Sequence, residues 1–567
     1  MAELSKKEKD YYLRRLSQLK LEQSSFISHW KELSEYLEPR SGRFFLSDRN
    51  NGGKRHNKII NGRGTQALRS SQSGIFAGVM SPTRPWFKLE PINQELMAVQ
   101  GVKEWLYKVE TVLRAIFLDS NLYSAAPIML GETLLFGTGA MAQLDDFESV
   151  SRFTPYTCGS YYITQNDRGV VDTFVIERER TVKQIVDEFG IDNVSVAIKS
   201  HYDRCEYDVW YRICQFIDPN PDYVPGDERS DKLPFRSVWF ELGSLSSTGY
   251  GNNSTSTVIT DNKFLRKSGF HEFPVHVVRW SVTGDDIYAT NCPGMVALGD
   301  VKALQIMEKR KAQAIDKLVN PPLKGPPSLI DVPVNSLPGG MTIYDSDTTK
   351  EGLAPIYQVA PQVNDLRMDM QAIEQRINEA FFVDLFLAIS TMEGIQPKNQ
   401  LELSQRNAER LLMLGPPLER IQQEFLGQVI HRTFNQAMRA NILPPPPPEL
   451  DGQNLNISFI SALAQAQRAS EVSTIERTAM FIGQLAQLNP SVLDKFNADE
   501  AAEKYAHYVG VVPSVIVPQE QVEATRQARA EQQQKLMEAE MAAQEVKTIR
   551  EGVDAADVVS SMGANNG

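Results

Sequence analysis

"LAISTMEGIQPKNQLE", residues Leu387 to Glu402, lies between two stretches that each carry a helical apolar stripe, while its own residues resist a helix. Upstream, Leu366, Met370, Ile373, Ile377, Phe381 and Leu385 recur at steps of three and four, which predicts one amphipathic helix ending near Phe386. Within the stretch, Gly394 and Pro397 stop regular structure. Asn399 then suits an N-cap, with Glu402 three residues on, where a capping-box acid reaches back. The second stripe runs through Leu411, Leu418, Ile421, Phe425, Val429, Phe434 and Met438, and Gly415, Pro416 and Pro417 predict a kink in it. On these residues alone the break reads either as an ordinary helix connection or as a loop held out for a purpose.

Working outward, "MVALGDVKALQIMEKRKAQAIDKLV" predicts an earlier helix with Val296, Val301, Leu304, Met307 and Ile315 on its apolar side, ended by "NPPLKGPP". A compact segment of turns and short strands joins it to the helix before the break. The order is therefore helix, small insert, helix, irregular loop, long kinked helix. From Tyr156 to Val282 the chain reads as strands: "VDTFVIERE", "YDVWYRICQFI", "SVWFEL" and "FPVHVVRWSV" are β-branched and aromatic with partial alternation. Residues 3–38 read as a helix with Leu13, Leu16, Leu19, Phe26, Trp30, Leu33 and Leu37 on one side, and "TQALRSSQSGIFAGVM" as a small-residue helix stopping before Pro82. Pro444 to Pro448 form a stiff spacer, with docking to an SH3-like domain as the functional alternative. After it come "LNISFI" as a strand, a helix from Ala462 to about Leu488, and a last Ala- and Glu-rich helix from Gln519 to Glu551. The fold class expected is α+β, predominantly helical.

With 567 residues the chain is long enough for several domains or one elongated multi-part subunit. The N-terminus is charged from its start and lacks the apolar core of a secretory signal, and "APIMLGETLLFGTGAMA" is too short, and carries Glu132, to span a bilayer. No membrane role is expected. Four scattered cysteines, Cys158, Cys205, Cys214 and Cys292, argue against a disulfide framework or a zinc knuckle. A formal charge of -12 opposes a protein that grips nucleic acid by neutralising phosphates.

Catalytic patterns fail one by one. In "HEFPVH", His271 and His276 are five apart where one helix face would need four, and Pro274 breaks any helix; on a strand the two rings would point to opposite faces. "NGRGTQALR" does not complete a nucleotide-binding glycine spacing, and neither a P-loop nor a nucleophile elbow occurs. No enzyme, metal or cofactor is expected, with a metal-dependent hydrolase the remote alternative.

Several motifs in order resemble those of the portal, or head-to-tail connector, proteins of short-tailed bacteriophages. These are "SGIFAGVMSPTRPWFKLE", "PGMVALGDVKALQ", "RNAERLLMLGPPLERIQQEFLGQVIHRTF", "LPPPPPEL" and "ISFISALAQAQR". The resemblance covers about residues 10–530; it is poorest at Gly243 to Ser256, and in "YATNCPGM" Asn291 and Cys292 stand where a Gly-containing turn is expected. It implies a ring of twelve copies at one capsid vertex, through which double-stranded DNA is packaged and ejected. Implied partners are a packaging ATPase (the terminase large subunit), tail adaptor and tail tube proteins, and the major capsid and scaffold proteins. The implied location is the virion, with the host cytoplasm during assembly.

The resemblance also divides the chain into parts: a wing at 1–292, first stem helix at 293–320, clip at 321–358, second stem helix at 359–386, tunnel loop at 387–400, long kinked helix at 401–443, C-terminal wing part at 444–515 and crown or barrel helix at 516–567. The loop would project Met392, Glu393, Gln396, Lys398 and Asn399 toward DNA. Asp365, Asp369, Glu374, Arg376, Glu379 and Asp384 would make a mildly acidic channel wall that lets the duplex slide. Lys302, Lys309, Arg310, Lys311 and Lys317 would either pair with the acidic helix of a neighbour or contact DNA. A non-ring structural adaptor or internal virion protein is the alternative.

Overall fold

The computed structural model describes residues 2–44, 58–93, 96–97, 99–245, 256–257, 263–319, 321–324, 354–355, 363–386, 414–450, 455–460, 478–486, 496–509, 517, 522–537 and 541. In chain order its elements are α1 (Ala2–Leu37), α2 (Arg63–Val79), β1 (Phe87–Pro91), α3 (Gln100–Asp119), α4 (Leu122–Phe136), β2 (Thr138–Asp146), β3 (Val150–Tyr156), β4 (Tyr161–Gln165), β5 (Val171–Thr181), α5 (Val182–Phe189), α6 (Val196–Asp203), β6 (Trp210–Pro219), β7 (Phe235–Leu245), β8 (Ser256–Thr257), β9 (Phe264–Phe270), β10 (Val275–Arg279), α7 (Pro293–Val319), β11 (Leu323–Lys324), β12 (Ala354–Pro355), α8 (Val363–Ala380), α9 (Gly427–Arg439), β13 (Leu455–Phe459) and α10 (Ala498–Val509). They fall into two compact units. One holds Met1–Phe87, Thr111–Leu443 and Ser461–Gln467; the other holds Lys88–Glu110, Pro444–Ile460 and Arg468–Gly567.

The first unit is built on an antiparallel sheet in the order β4-β5-β6-β7-β8, with β9 also paired to β7. Alternation along the strands gives it two apolar faces. Cys214, Phe216, Val238 and Phe240 pack on one side against Tyr12, Leu16 and Leu19 of α1. Tyr211, Ile213, Trp239 and Leu265 pack on the other against Ile185, Phe189 and Ile198 of α5 and α6. A capping box opens α5: Thr181 Oγ1 accepts from the Gln184 amide, and the Gln184 side chain accepts from the Thr181 N–H. A second sheet, β10-β2-β3, lies beside α4 and registers Val278 against Gly139 and Gln143 against Phe153.

Two helices leave this body as an antiparallel pair, α7 and α8. Gly294 lets α7 start directly on α4, because a Cβ there would stand 2.5 Å from the Leu135 carbonyl oxygen. Ala297, Leu298, Val301, Leu304 and Gln305 are buried, and from Ile306 to Val319 no residue of the helix is. Two residues expected on the buried side are exposed: Val296 at 59% and Ile315 at 42%. Val296 faces away from α4, and Ile315 lies beyond the level at which the body covers the helix.

Met370, Ile373, Ile377, Phe381 and Leu385 are buried, as their spacing predicts, but the helix ends at Ala380 rather than near Phe386. Phe382 takes a left-handed φ of 56°. Tertiary contacts override the stripe here. The Ser71 hydroxyl of α2 donates to the Phe381 carbonyl, the Phe382 ring packs on Trp280, and Phe386 lies where a Cβ on Gly74 would be, within 2.9 Å.

The long helix also departs from its expected form. Pro416 and Pro417 lie within helical residues 414–421, and the departure from α geometry comes later, as a π turn at Gln422–Leu426. Leu414, Leu418, Ile421, Phe425 and Val429 are buried, but Phe434 is half-buried and Met438 is 37% exposed. The buried side of α9 instead carries Arg432, Thr433 and Gln436.

In the second unit, β1 and β13 make a two-stranded sheet, and the Trp105 indole donates to the Pro444 carbonyl at 3.0 Å, anchoring the start of the proline run. Asp499 of α10 accepts both guanidinium nitrogens of Arg526 at 2.6 and 2.8 Å. Among the described residues no helix is long and apolar enough to cross a membrane.

Candidate functional site

The α7–α8 pair carries the residues singled out for the stem. Its base is tied to the body. Gln305 accepts from the backbone N–H groups of Ile60 and Asn61 at 2.6 and 2.8 Å and donates to the Asn61 carbonyl at 2.9 Å. The Asn61 amide donates to Glu374 at 3.2 Å. Arg376 of α8 reaches Asp300 of α7 with two nitrogens, at 2.8 and 3.2 Å, which fixes the register of the two helices.

The basic residues therefore separate into two groups. Lys302 is paired with Glu32 of α1, and Lys311 with Glu308 one turn back at 2.6 Å. Lys309, Arg310 and Lys317 are exposed and join no ion pair among the described residues. On α8, Asp365, Asp369, Arg376 and Glu379 stand on one exposed side at helical spacing, with Glu379 accepting from Gln375 at 3.1 Å. Glu374 is half-buried on another side, and Asp384 is exposed beyond the break at Phe382. Four of the six wall candidates thus share a face. Met392, Glu393, Gln396, Lys398 and Asn399 lie outside the described residues.

A polar seam that the sequence did not reveal holds the long helix to the second sheet. The Gln143 amide nitrogen faces Thr433 at 2.8 Å and Ser151 and Gln436 at 3.0 Å, and its oxygen faces His276 Nε2 at 2.8 Å. With the Gln143 oxygen so placed, the His276 Nε2–H donates to it, while Nδ1 faces the Gln428 side-chain oxygen at 3.3 Å. Burial, reinforced by the nearby Arg432 guanidinium, pushes the His276 pKa down to about 3. Arg432 donates to the carbonyls of Gln143 at 3.2 Å and Glu272 at 2.9 Å. The π turn brings Glu424 to the backbone N–H of Arg279 at 2.9 Å and to its guanidinium at 2.8 Å. His276 is thus a seam residue, and His271, in the turn before β10, faces Glu228 at 4.0 Å. Among the described residues no group of three or more His, Cys, Asp or Glu side chains is placed to hold a metal. The one hint in the sequence was the step of five from Val429 to Phe434, which breaks the apolar stripe where the buried side turns polar.

The turn before α7 also takes shape without a glycine. Asn291 bridges Ser281, and the buried Cys292 thiol donates to the Leu135 carbonyl at 3.4 Å. Burial raises that thiol's pKa to about 12, so it is a packing group rather than a reactive one.

A family model described as "Bacteriophage head to tail connecting protein" matches residues 9–517. The chain belongs to that connector family. It is 42% identical over 551 residues to the portal protein of Salmonella phage epsilon15, covering 97% of this chain and 96% of the relative. It is 40% identical over 556 residues to the probable portal protein of Bordetella phage BPP-1, covering 98% and 96%. Among solved structures, a chain from the neck of an empty gene transfer agent particle matches at a TM-score of 0.37 and 13% identity, over 79% of this chain and 93% of that one. The connector's function is structural, as a portal and head-to-tail connector of a bacteriophage virion.

Proposed function

We propose that this connector works as a closed ring of twelve copies at one capsid vertex, a channel through which double-stranded DNA is packaged and later ejected. The observation that carries the assembly is the outer half of the α7–α8 pair. In a single chain Ile306, Ile315, Leu318, Val319 and Met368 stand 42–71% exposed on helices that project from the body. Apolar side chains gathered on a projecting element mark a surface that another molecule covers.

On this reading α7 and α8 are the first and second stem helices, 321–358 is the clip and 387–400 the tunnel loop. The exposed carboxylates of α8 belong to the channel wall. A wall without a row of free cations gives phosphates little to hold, so DNA slides rather than binds. The clip would meet the packaging ATPase and, once the head is full, the tail adaptor. The body and second unit would face the capsid and scaffold proteins, with assembly in the host cytoplasm.

The test is the native mass of the purified chain together with negative-stain images. Twelve copies of 63.7 kDa make about 760 kDa, and a closed particle of about that mass with a central hole is expected. A chain that stays monomeric even with its scaffold protein present would favour a non-ring adaptor.

A further inference from the structure

Glu132 is a charge in the apolar run of α4, and the structure buries it where two segments meet. Its Oε1 accepts from the Thr157 hydroxyl at 2.8 Å and its Oε2 from the Cys158 N–H at 3.0 Å, both in the turn between β3 and β4. The Ser41 side chain bonds the same carboxyl from the chain just past α1.

That chain lies across the β3–β4 turn as a strap. The Gly42 N–H donates to Thr157 Oγ1 at 2.9 Å, the Arg43 N–H to the Cys158 carbonyl at 2.7 Å, and the Ser34 hydroxyl to the Ser41 carbonyl at 2.7 Å. Gly42 and Gly159 take left-handed φ values of 83° and 84°, and a Cβ on Gly159 would run into the Arg43 carbonyl oxygen. Phe44 meets Phe136 edge-on, with ring centroids 5.8 Å apart. Thr157 is thus shared. Its oxygen takes the N–H of the strap and its proton goes to Glu132, so carboxyl and strap are two ends of one hydrogen-bonded chain.

Both protonation states of the carboxyl can be bonded here, because a hydroxyl accepts as well as it donates, and burial decides between them. The dry site favours the neutral acid and water the carboxylate. Glu38, just past α1, faces the carboxyl with the same sign and is paired with Arg69 at 3.1 Å. Cys158 and Tyr161 also face it, and Cys292 faces Cys158. Burial raises the pKa of all three above their ordinary values, so they stay uncharged near neutral pH.

We propose that residues 41–44 are a latch that opens from the β3–β4 turn when Glu132 ionises. Opening gives the carboxylate the water that the closed strap denies it. Closed, the carboxyl titrates at about 7; open to water it returns to 4.5, so ionisation favours the open strap. The opening constant therefore rises with pH from about 4.5 and levels off above about 7. Since α1 ends at Leu37 and α2 starts at Arg63, the latch sets how firmly the connection between them is held at its first end.

The test is hydrogen–deuterium exchange of the Gly42 and Arg43 amides in the full-length chain from pH 5 to 8, each rate divided by its intrinsic rate at that pH. The wild-type opening constant should rise on the order of 50-fold across the range, and that of Glu132→Gln should stay nearly flat. At every pH these amides should open more readily than that of Leu130, inside α4, and with little dependence on denaturant, because a strap exposes far less surface than global unfolding. Ser41→Ala keeps the carboxyl and removes one bond across the latch, so it should raise opening at pH 5 several-fold while Leu130 stays protected. Three outcomes overturn the latch: the same rise in Glu132→Gln, strap amides that match Leu130 in protection and denaturant slope, or a Ser41→Ala strap no looser than wild type.

Discussion

At Glu132 a carboxyl is fully buried yet accepts from the Thr157 hydroxyl at 2.8 Å and the Cys158 N–H at 3.0 Å. Burial outweighs these donors and raises its pKa from 4.5 to about 7. Its folded pKa lies above the unfolded value, so its contribution is full below about pH 4.5 and is lost as pH rises through about 7. At 1.36 kcal/mol per unit this is on the order of 3 kcal/mol. Unfolding midpoints measured between pH 4.5 and 8 should therefore fall more for the wild type than for Glu132→Gln; parallel curves would show that the carboxyl ionises without cost. Gly294 gives a second check. Gly294→Ala forces a methyl against the Leu135 carbonyl, a fixed backbone atom, and should cost about 1–3 kcal/mol, read as a lower melting temperature. Neither role was legible in the sequence: Glu132 stood out only as a charge in an apolar run, and the partner of Gly294 is more than 150 residues away.

Among the elements, helices whose burial is apolar were readable and those whose burial is polar were not. The α8 stripe from Met370 to Phe381 follows its spacing, because burying those side chains is what holds the helix. Its end was misread because Ser71, Trp280 and Gly74, all distant in sequence, fix the chain at 381–386. In α9 the polar Arg432, Thr433 and Gln436 are buried beside Val429, Ile430 and Ala437, since Gln143 bonds His276, Thr433 and Gln436 together. Gln143→Leu should therefore destabilise by about 2–4 kcal/mol, because the partners stay buried without their bonds. Adding His276→Leu should cost less than its own separate effect, since the two groups are coupled. Melting temperatures of the four chains in the cycle give the coupling directly, and strict additivity would mean that the contact contributes nothing.

For the whole molecule, the outer half of the α7–α8 pair is exposed among the described residues, and the proposed ring that would cover it rests on symmetry, which no single sequence displays. The same view separates packing from transport at the break after Phe386. The stripe before it is buried through Leu385 and Phe386, and the stripe after it is buried from Leu414 through Val429, within one chain. Both flanks are thus packed among the described residues, and Gly394 to Lys398 carry one large apolar residue, Ile395. Deleting Gly394 to Lys398 should leave the native mass and ring images unchanged while DNA packaged per head falls, or packaged DNA leaks from heads before tails attach. Protection of the genome from nuclease in assembled heads measures both effects. Rings lost on deletion would make the segment a packing element between subunits, and full packaging with intact rings would leave the loop without a part in transport.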